Sequence, residues 1–235
     1  MNRIRVTLLA HSPLTIISDG ARTCWGSQDK SDSVEEYDCV DGSYLGKTLG
    51  TKDLALINRV GNEFKHASIL EHCNISFFID GISRACLQEC SRHRMASLSV
   101  KSTRYTLKEL KSEEPFTAYT DMDDQEYCLN GYERAAKYLV LTPDPKVNRM
   151  SILALDNLRD LLNEGISNDL CKYALPESYR TQLTWTINIR SLQNFLSLRT
   201  APAALPEIQL LAKLICEALP PQTQSIVQHC VYKKA

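Results

Sequence analysis

The stretch "HCNISFFIDGISRACLQECSRHR", His72–Arg94, passes from a strand pattern to a helix pattern, and that passage decides how the chain is read. From His72 to Asp80 the chain reads as a strand, with Ile75, Phe77, Phe78 and Ile79 as its β-formers, and Gly81 is expected to end the run. Ser83 then offers a side-chain oxygen for an N-cap, which predicts a helix from Arg84 onward. On that helix residues three or four apart are neighbours, so Arg84 and Gln88 share one side, as do Glu89 and Arg92. Arg92 and Arg94 cannot face one way while helical. The "RHR" triplet is therefore expected where the helix gives out into a turn or extended chain.

Working outward, "RIRVTLLA" from Arg3 reads as a strand, and Ser12-Pro13 as an N-cap followed by proline at the first helical position. Ser27–Gly50 is polar, with three glycines and no sustained period, and is expected to be a long loop. A helix follows Thr51, with an apolar stripe of Leu54, Ile57, Val60 and Phe64. In the second half helices are expected over Asp123–Val140, Pro145–Asn163 and Asn168–Leu175. The middle one carries a core stripe of Ile152, Leu155, Leu158 and Leu162. "SYRTQLTWTINIR" from Ser178 alternates as a strand, "SLQNFLSLR" is a helix capped by Ser191, and two further helices run near Pro206–Leu219 and Gln222–Val231. This is an α+β chain with a mostly helical C-terminal half, read as one domain over residues 1–235.

The composition narrows the function classes. With 43% hydrophobic and 23% charged residues the chain is of the packed globular kind, and no apolar run is long enough to cross a bilayer. A formal net charge of -1 provides no global field for nucleic acid or anionic membrane, so any anion site must be local. Nine cysteines, an odd number without Cys-x-x-Cys, suit reduced thiols in a cytoplasm. The group His66, His72, Cys73, Cys86 and Cys90 lacks paired zinc-ligand spacing, so no metal is expected.

Two segments carry chemistry. Between Arg84 and Lys111 seven basic residues stand against two acidic ones, in a chain that is otherwise acidic. Guanidinium forks with serine hydroxyls and backbone amides make an anion cradle suited to a phosphorylated small molecule. An RNA-binding module on the same loop is the alternative, although stacking aromatics are sparse, with only Tyr105 inside the run "RHRMASLSVKSTRY". In "NIRSLQNFLSLR", Asn188–Arg199, Asn188 and Arg190 on a strand would project from one face, while Phe195 and Arg199 lie a helical turn apart. Spacing alone leaves open whether this is a ligand corner or a cap with surface arginines.

Both segments resemble the flavin-dependent thymidylate synthases, whose signature is R-H-R, seven residues, then S: here Arg92, His93, Arg94 and Ser102, continued by Arg104 and Tyr105. "HASILEH" (His66–His72), "GISRACLQECSRHR" (Gly81–Arg94), "KYALPES" (Lys172–Ser178) and "NIRSLQNFLSLR" resemble family blocks in the family's order. The resemblance implies an antiparallel sheet core packed with helices. It also implies reductive methylation of dUMP to dTMP with 5,10-methylenetetrahydrofolate, hydride carried by FAD that NADPH reduces, and a homotetramer whose sites combine neighbouring subunits. It carries FAD contacts onto Ser68, Arg92, His93, Arg94, Asn188, Arg190 and Asn194. Nucleotide contacts fall on Glu89, Arg92, Val100, Ser102, Arg104, Lys172 and Arg199, with Arg199 as the activating residue and no cysteine nucleophile. Ser102 is expected to bind rather than attack, since a hydroxyl nucleophile needs a base in reach. The chain departs from the commoner pattern at Ser99-Val100, where many members have Asn-Glu. Glu89 stands where glutamine is frequent and Lys172 where arginine is, exchanging a fork for a point charge.

Overall fold

The computed structural model describes residues 4–38, 40, 43–116 and 131–233. Its elements, in chain order, are β1 (Arg5–His11), α1 (Thr15–Trp25), β2 (Val34–Tyr37), β3 (Tyr44–Thr48), α2 (Thr51–Ile57), β4 (Asn74–Ser83), α3 (Arg84–Ser91), β5 (Ala96–Val100), α4 (Thr103–Thr106), α5 (Pro145–Asn163), α6 (Asn168–Cys171), β6 (Arg180–Asn188), α7 (Ile189–Arg199), α8 (Pro206–Glu217) and α9 (Pro221–Val227). Four strands form a sheet in the order β1-β4-β6-β5, and β2 and β3 form a separate hairpin.

The sheet is antiparallel, as the resemblance implies. Ile189 N donates to Cys73 O at one end of the β4–β6 pair, and Arg84 N to Tyr179 O at the other, so the partners run oppositely. Likewise Ser12 N donates to Asn74 O, while Arg5, seven residues earlier, pairs with Asp80. β4 outruns its expected end: it continues through Gly81 to Ser83, because glycine can take the positive φ of 90° that the chain adopts there. The Ser83 cap holds, its Oγ accepting from Cys86 N at 3.0 Å.

By contact density the chain forms two compact units. Met1–Arg5, Ile79–Arg92 and Ser99–Leu183 make unit 1; Val6–Phe78, His93–Leu98 and Thr184–Ala235 make unit 2. The core of unit 1 gathers Leu107, Leu110, Phe116, Ala135 and Leu139 around the expected α5 stripe, Ile152, Leu155, Leu158 and Leu162, all buried. α5 starts at the N-cap of Asp144, whose carboxylate accepts from Lys146 N at 2.7 Å, with proline at the first position. Of the helix expected over Asp123–Val140, the residues before 131 lie outside the described ones. The described part leaves the helix after Ala135, and Leu139 pairs with Tyr179 in an isolated antiparallel bridge. The helix expected over Asn168–Leu175 is shorter: α6 ends at Cys171, and Lys172–Ala174 tightens into a single 3₁₀ turn.

Unit 2 corrects the sequence reading in four places. Ser12 does not cap α1, which begins at Thr15 without a side-chain cap; its Oγ accepts from Asn74 N instead. The stripe after Thr51 breaks at Phe64, which is 61% exposed, because the chain adopts a π-helix over Asn58–Glu63. There Phe64 N reaches back five residues to Arg59 O, and the wider turn rotates Phe64 off the buried face. The stretch expected as a loop, Ser27–Gly50, contains the β2–β3 hairpin, with Val34 opposite Thr48 and Tyr37 opposite Tyr44. All four β2 residues are exposed, so the strand has no buried face and shows no apolar alternation. A buried ion pair ties the approach to this hairpin to α1 and α2. Asp53 accepts from Arg22 and, at 2.6 Å each, from the hydroxyls of Ser31 and Ser33. Asp32 in turn caps α2 from a distance, accepting from Lys52 N and Asp53 N. The fourth correction is at α7, whose cap is Asn188 and not Ser191: the Asn188 side-chain oxygen accepts from Ser191 N at 2.8 Å.

Candidate active site

Unit 1 carries Glu89, Arg92, Val100, Ser102, Arg104 and Lys172. α3 runs out at Arg92, as the spacing requires; the Arg92 backbone N–H donates to Cys90 O, while its exposed guanidinium has no hydrogen-bond or ion-pair partner among the described residues. Glu89 is half-buried one turn earlier, and Val100 is half-buried at the end of β5. Ser102 precedes α4, and its carbonyl accepts from Tyr105 N, Thr106 N and the Thr106 hydroxyl, which turns the chain toward Arg104. Arg104 is gripped along one edge by Asp169 of α6: Nε to Oδ1 at 2.6 Å and Nη2 to Oδ2 at 3.3 Å. The hydrogen bond and charge of Asp169 raise the Arg104 pKa further above its ordinary value. Asn168 also donates to Arg104 O at 2.6 Å. Lys172 follows Asp169 by three residues, so this pairing brings Arg104 and the exposed Lys172 into one neighbourhood.

Unit 2 carries Ser68, His93, Arg94, Asn188, Arg190, Asn194 and Arg199. β6 ends at Asn188, so Asn188 and Arg190 do not share a strand face; Arg190 belongs to the first turn of α7. Its Nη1 donates to Glu71 at 2.5 Å, which joins α7 to the 3₁₀ segment Ala67–His72, where the side chain of Ser68 is exposed. Asn194 and Arg94 are exposed, and no described residue hydrogen-bonds or ion-pairs with the Arg94 guanidinium. His93 differs from its neighbours in the triplet: it is 7% exposed, and its ring meets Phe195 edge-on at 5.0 Å. Phe195 meets Trp185 at 4.9 Å, and Trp185 lies against Phe77. Arg199, half-buried at the C-terminus of α7, donates from Nε to His93 Nε2 at 3.0 Å. A cation at that helix end also complements the helix dipole.

Sequence reasoning missed the acids that hold these arginines. Glu71 lies 119 positions from Arg190 and Asp169 lies 65 from Arg104, and no local pattern links either pair. Among the described residues no group of His, Cys, Asp and Glu is arranged to hold a metal ion, and no helix is long and apolar enough to cross a membrane. The Cys73 thiol, pushed up to about 12 by burial, is held as a neutral thiol beside Ser12 O.

This α+β fold presents guanidinium, hydroxyl and amide groups, the donor types that pair with phosphorylated organic ligands. A sequence profile described as "Thymidylate synthase complementing protein" matches residues 7–222. The flavin-dependent thymidylate synthase of Campylobacter jejuni is 50% identical over 230 residues, covering 98% of this chain and 99% of that protein. That of Wolinella succinogenes is 54% identical over 215 residues, 92% and 93% of the two chains. A crystal structure of Helicobacter pylori thymidylate synthase X with FAD and dUMP superposes with a TM-score of 0.84 at 47% identity, covering 98% of this chain and all of that one. A UMP/dUMP methylase from Streptomyces cacaoi, at 23% identity and a TM-score of 0.66, shares the fold. The chain belongs to the flavin-dependent thymidylate synthase family.

Proposed function

We propose that the chain converts dUMP to dTMP, taking a methylene group from 5,10-methylenetetrahydrofolate and two electrons from NADPH, with FAD as the resident cofactor. The observation that carries this reading is that relatives of this activity match along 98% of the chain, through both units. For the same reason the chain acts as one functional domain over residues 1–235, and we place it in the cytoplasm as a homotetramer whose sites draw on neighbouring subunits. The RNA-binding alternative has no support among these relatives.

The donor set of unit 2 fits a flavin dinucleotide. Arg94 offers a guanidinium with no described partner, Arg190 a second held by Glu71, and Ser68 and Asn194 exposed hydroxyl and amide groups; together they suit a pyrophosphate and the polar edge of a flavin. FAD, when bound, supplies the hydride. Arg92 and His93 complete the assigned cofactor set. Asn188 reaches it through the amide nitrogen, because its carbonyl oxygen caps α7. On the nucleotide side Arg92, Arg104 and Lys172 supply positive charge for the phosphate, while Glu89, Val100 and Ser102 complete the assigned contacts. Asp169 takes the Nε–Nη2 edge of Arg104, which leaves the Nη1–Nη2 edge to meet an anion.

Uracil C5 is a poor nucleophile. A cation against the pyrimidine favours its N3-deprotonated form and pushes electron density toward C5. Arg199 has this role, as arginine stays charged at any working pH and its plane matches the base edge. No cysteine adduct is needed. The test is direct: purified protein supplied with FAD is yellow and, given dUMP, methylenetetrahydrofolate and NADPH, yields dTMP. Absence of flavin absorbance, or NADPH oxidation without dTMP, overturns the proposal.

A further inference from the structure

We propose that His93 is a positioning residue for Arg199: its buried imidazole accepts a hydrogen bond from Arg199 Nε and thereby fixes the direction in which Nη1 and Nη2 meet the pyrimidine. This rests on the activating role given to Arg199 above. The resemblance counts His93 among the FAD contacts, and its surroundings mark a second task beside that one. The ring is 7% exposed, and its Nε2 lies 3.0 Å from a donor on another element.

An arginine at the end of a helix has many rotamers, and an electrostatic stabiliser acts at full strength only when its orientation is settled before the reaction. Here the orientation is settled in three steps. Trp185, fully buried, backs Phe195, and Phe195 backs the His93 ring edge-on at 73°. With its tilt set, the ring aims one nitrogen, Nε2, at Arg199. Since Nε2 accepts, the ring proton resides on Nδ1, and the hydrogen bond to the guanidinium is a charge-assisted one. Phe195 and Arg199 are four residues apart on α7, so the same helical face carries both the support of the imidazole and the group that the imidazole steers. A lysine at position 199 could not be held this way, because it has no secondary donor on its stem.

The test compares His93→Phe, which keeps a flat ring against Phe195 but has no acceptor, with His93→Gln, whose amide oxygen reaches close to the Nε2 position. With FAD supplied at saturation, His93→Phe is expected to lose kcat roughly ten- to a hundredfold, as for a lost hydrogen bond to a charged group, with a smaller change in KM for dUMP. His93→Gln is expected to recover most of that loss. The double variant His93→Phe/Arg199→Ala is expected to be no slower than Arg199→Ala alone, because at saturating FAD the histidine acts on turnover only through the arginine. Wild-type kcat in His93→Phe, equal impairment in His93→Gln, or additive losses in the double variant overturn the proposal. Should His93→Phe not fold, ¹⁵N-histidine spectra of the unaltered protein decide: a proton-free Nε2 that shifts in Arg199→Ala supports it, and a proton on Nε2 overturns it. Full turnover in Arg199→Ala would remove the role of Arg199 itself and this proposal with it. A slow Arg199→Ala beside an unaffected His93→Phe would remove the positioning role alone.

Discussion

Replacing Asp53 with asparagine tests the polar node that ties the hairpin approach to α1 and α2. In the folded chain Asp53 is 0% exposed, and its carboxylate accepts from Nε and Nη2 of Arg22 and from the hydroxyls of Ser31 and Ser33. Arg22 is itself 6% exposed, so the variant leaves a buried cation without its counter-charge. Removing one partner of a buried pair costs about 3–5 kcal/mol. In a chain of this size each kcal/mol moves the midpoint by about 2–4 °C, so Asp53→Asn is expected to melt about 6–20 °C lower. Circular dichroism at one scan rate measures this on ligand-free protein, since bound flavin or nucleotide would raise both midpoints. The pH dependence gives a second check. Burial pushes the Asp53 carboxyl up, but hydrogen bonds from Ser31, Ser33 and Arg22, with the Arg22 charge, outweigh it and hold the group below the usual carboxylate range. A carboxyl lowered in the folded state contributes stability that is complete above its unfolded value of about 3.9 and is lost as pH falls through the folded value. The gap between wild type and variant should be full at pH 7 and close only in acid below about pH 4. Melting within about 2 °C of wild type at pH 7 would refute the reasoning, since it implies less than about 1 kcal/mol. So would a gap unchanged by strong acid.

Three further outcomes are expected. Asn188→Ala removes the cap of α7 and should cost about 1 kcal/mol in urea unfolding, while Ser191→Ala changes it by under about 0.5 kcal/mol; the reverse order would return the cap to Ser191. A Cβ at Gly50 would lie 2.2 Å from Asp32 Oδ1 and 2.5 Å from its carbonyl oxygen, so Gly50→Ala should destabilise by about 1–3 kcal/mol, and an unchanged melt would show that the contact is not there. Arg190→Ala should shed FAD on gel filtration, as should Glu71→Arg, which reverses the charge that holds Arg190; retention equal to wild type in both would remove Arg190 from the flavin site.

Much of the local structure was legible in residues 72–94 and in the α5 stripe because the cause of each is local. A serine oxygen reaches a nitrogen three residues on, and leucines a turn apart meet one core. The same holds for the end of α3 at Arg92, where two arginines two positions apart could not both stay on one helical face. The misreadings share the opposite cause. Ser191 looks like a cap until the strand before it is seen to end at Asn188, whose side chain reaches the site first. Phe64 completes a helical stripe only if the turn keeps its ordinary width, and the β2–β3 hairpin buries neither face of its first strand.

By itself the sequence determined the α+β class, the family and the residue types of the candidate site, since an R-H-R-x₇-S signature and capped helices are written in neighbouring positions. Tertiary structure alone decided which arginine meets which partner. Glu71 with Arg190, Asp169 with Arg104, Asp53 with Arg22 and His93 with Arg199 are separated by 31 to 119 residues along the chain. Electrostatic and hydrogen-bond contacts act over a few ångströms of space, so partners this far apart in sequence leave no periodic trace and exist only once the chain has folded.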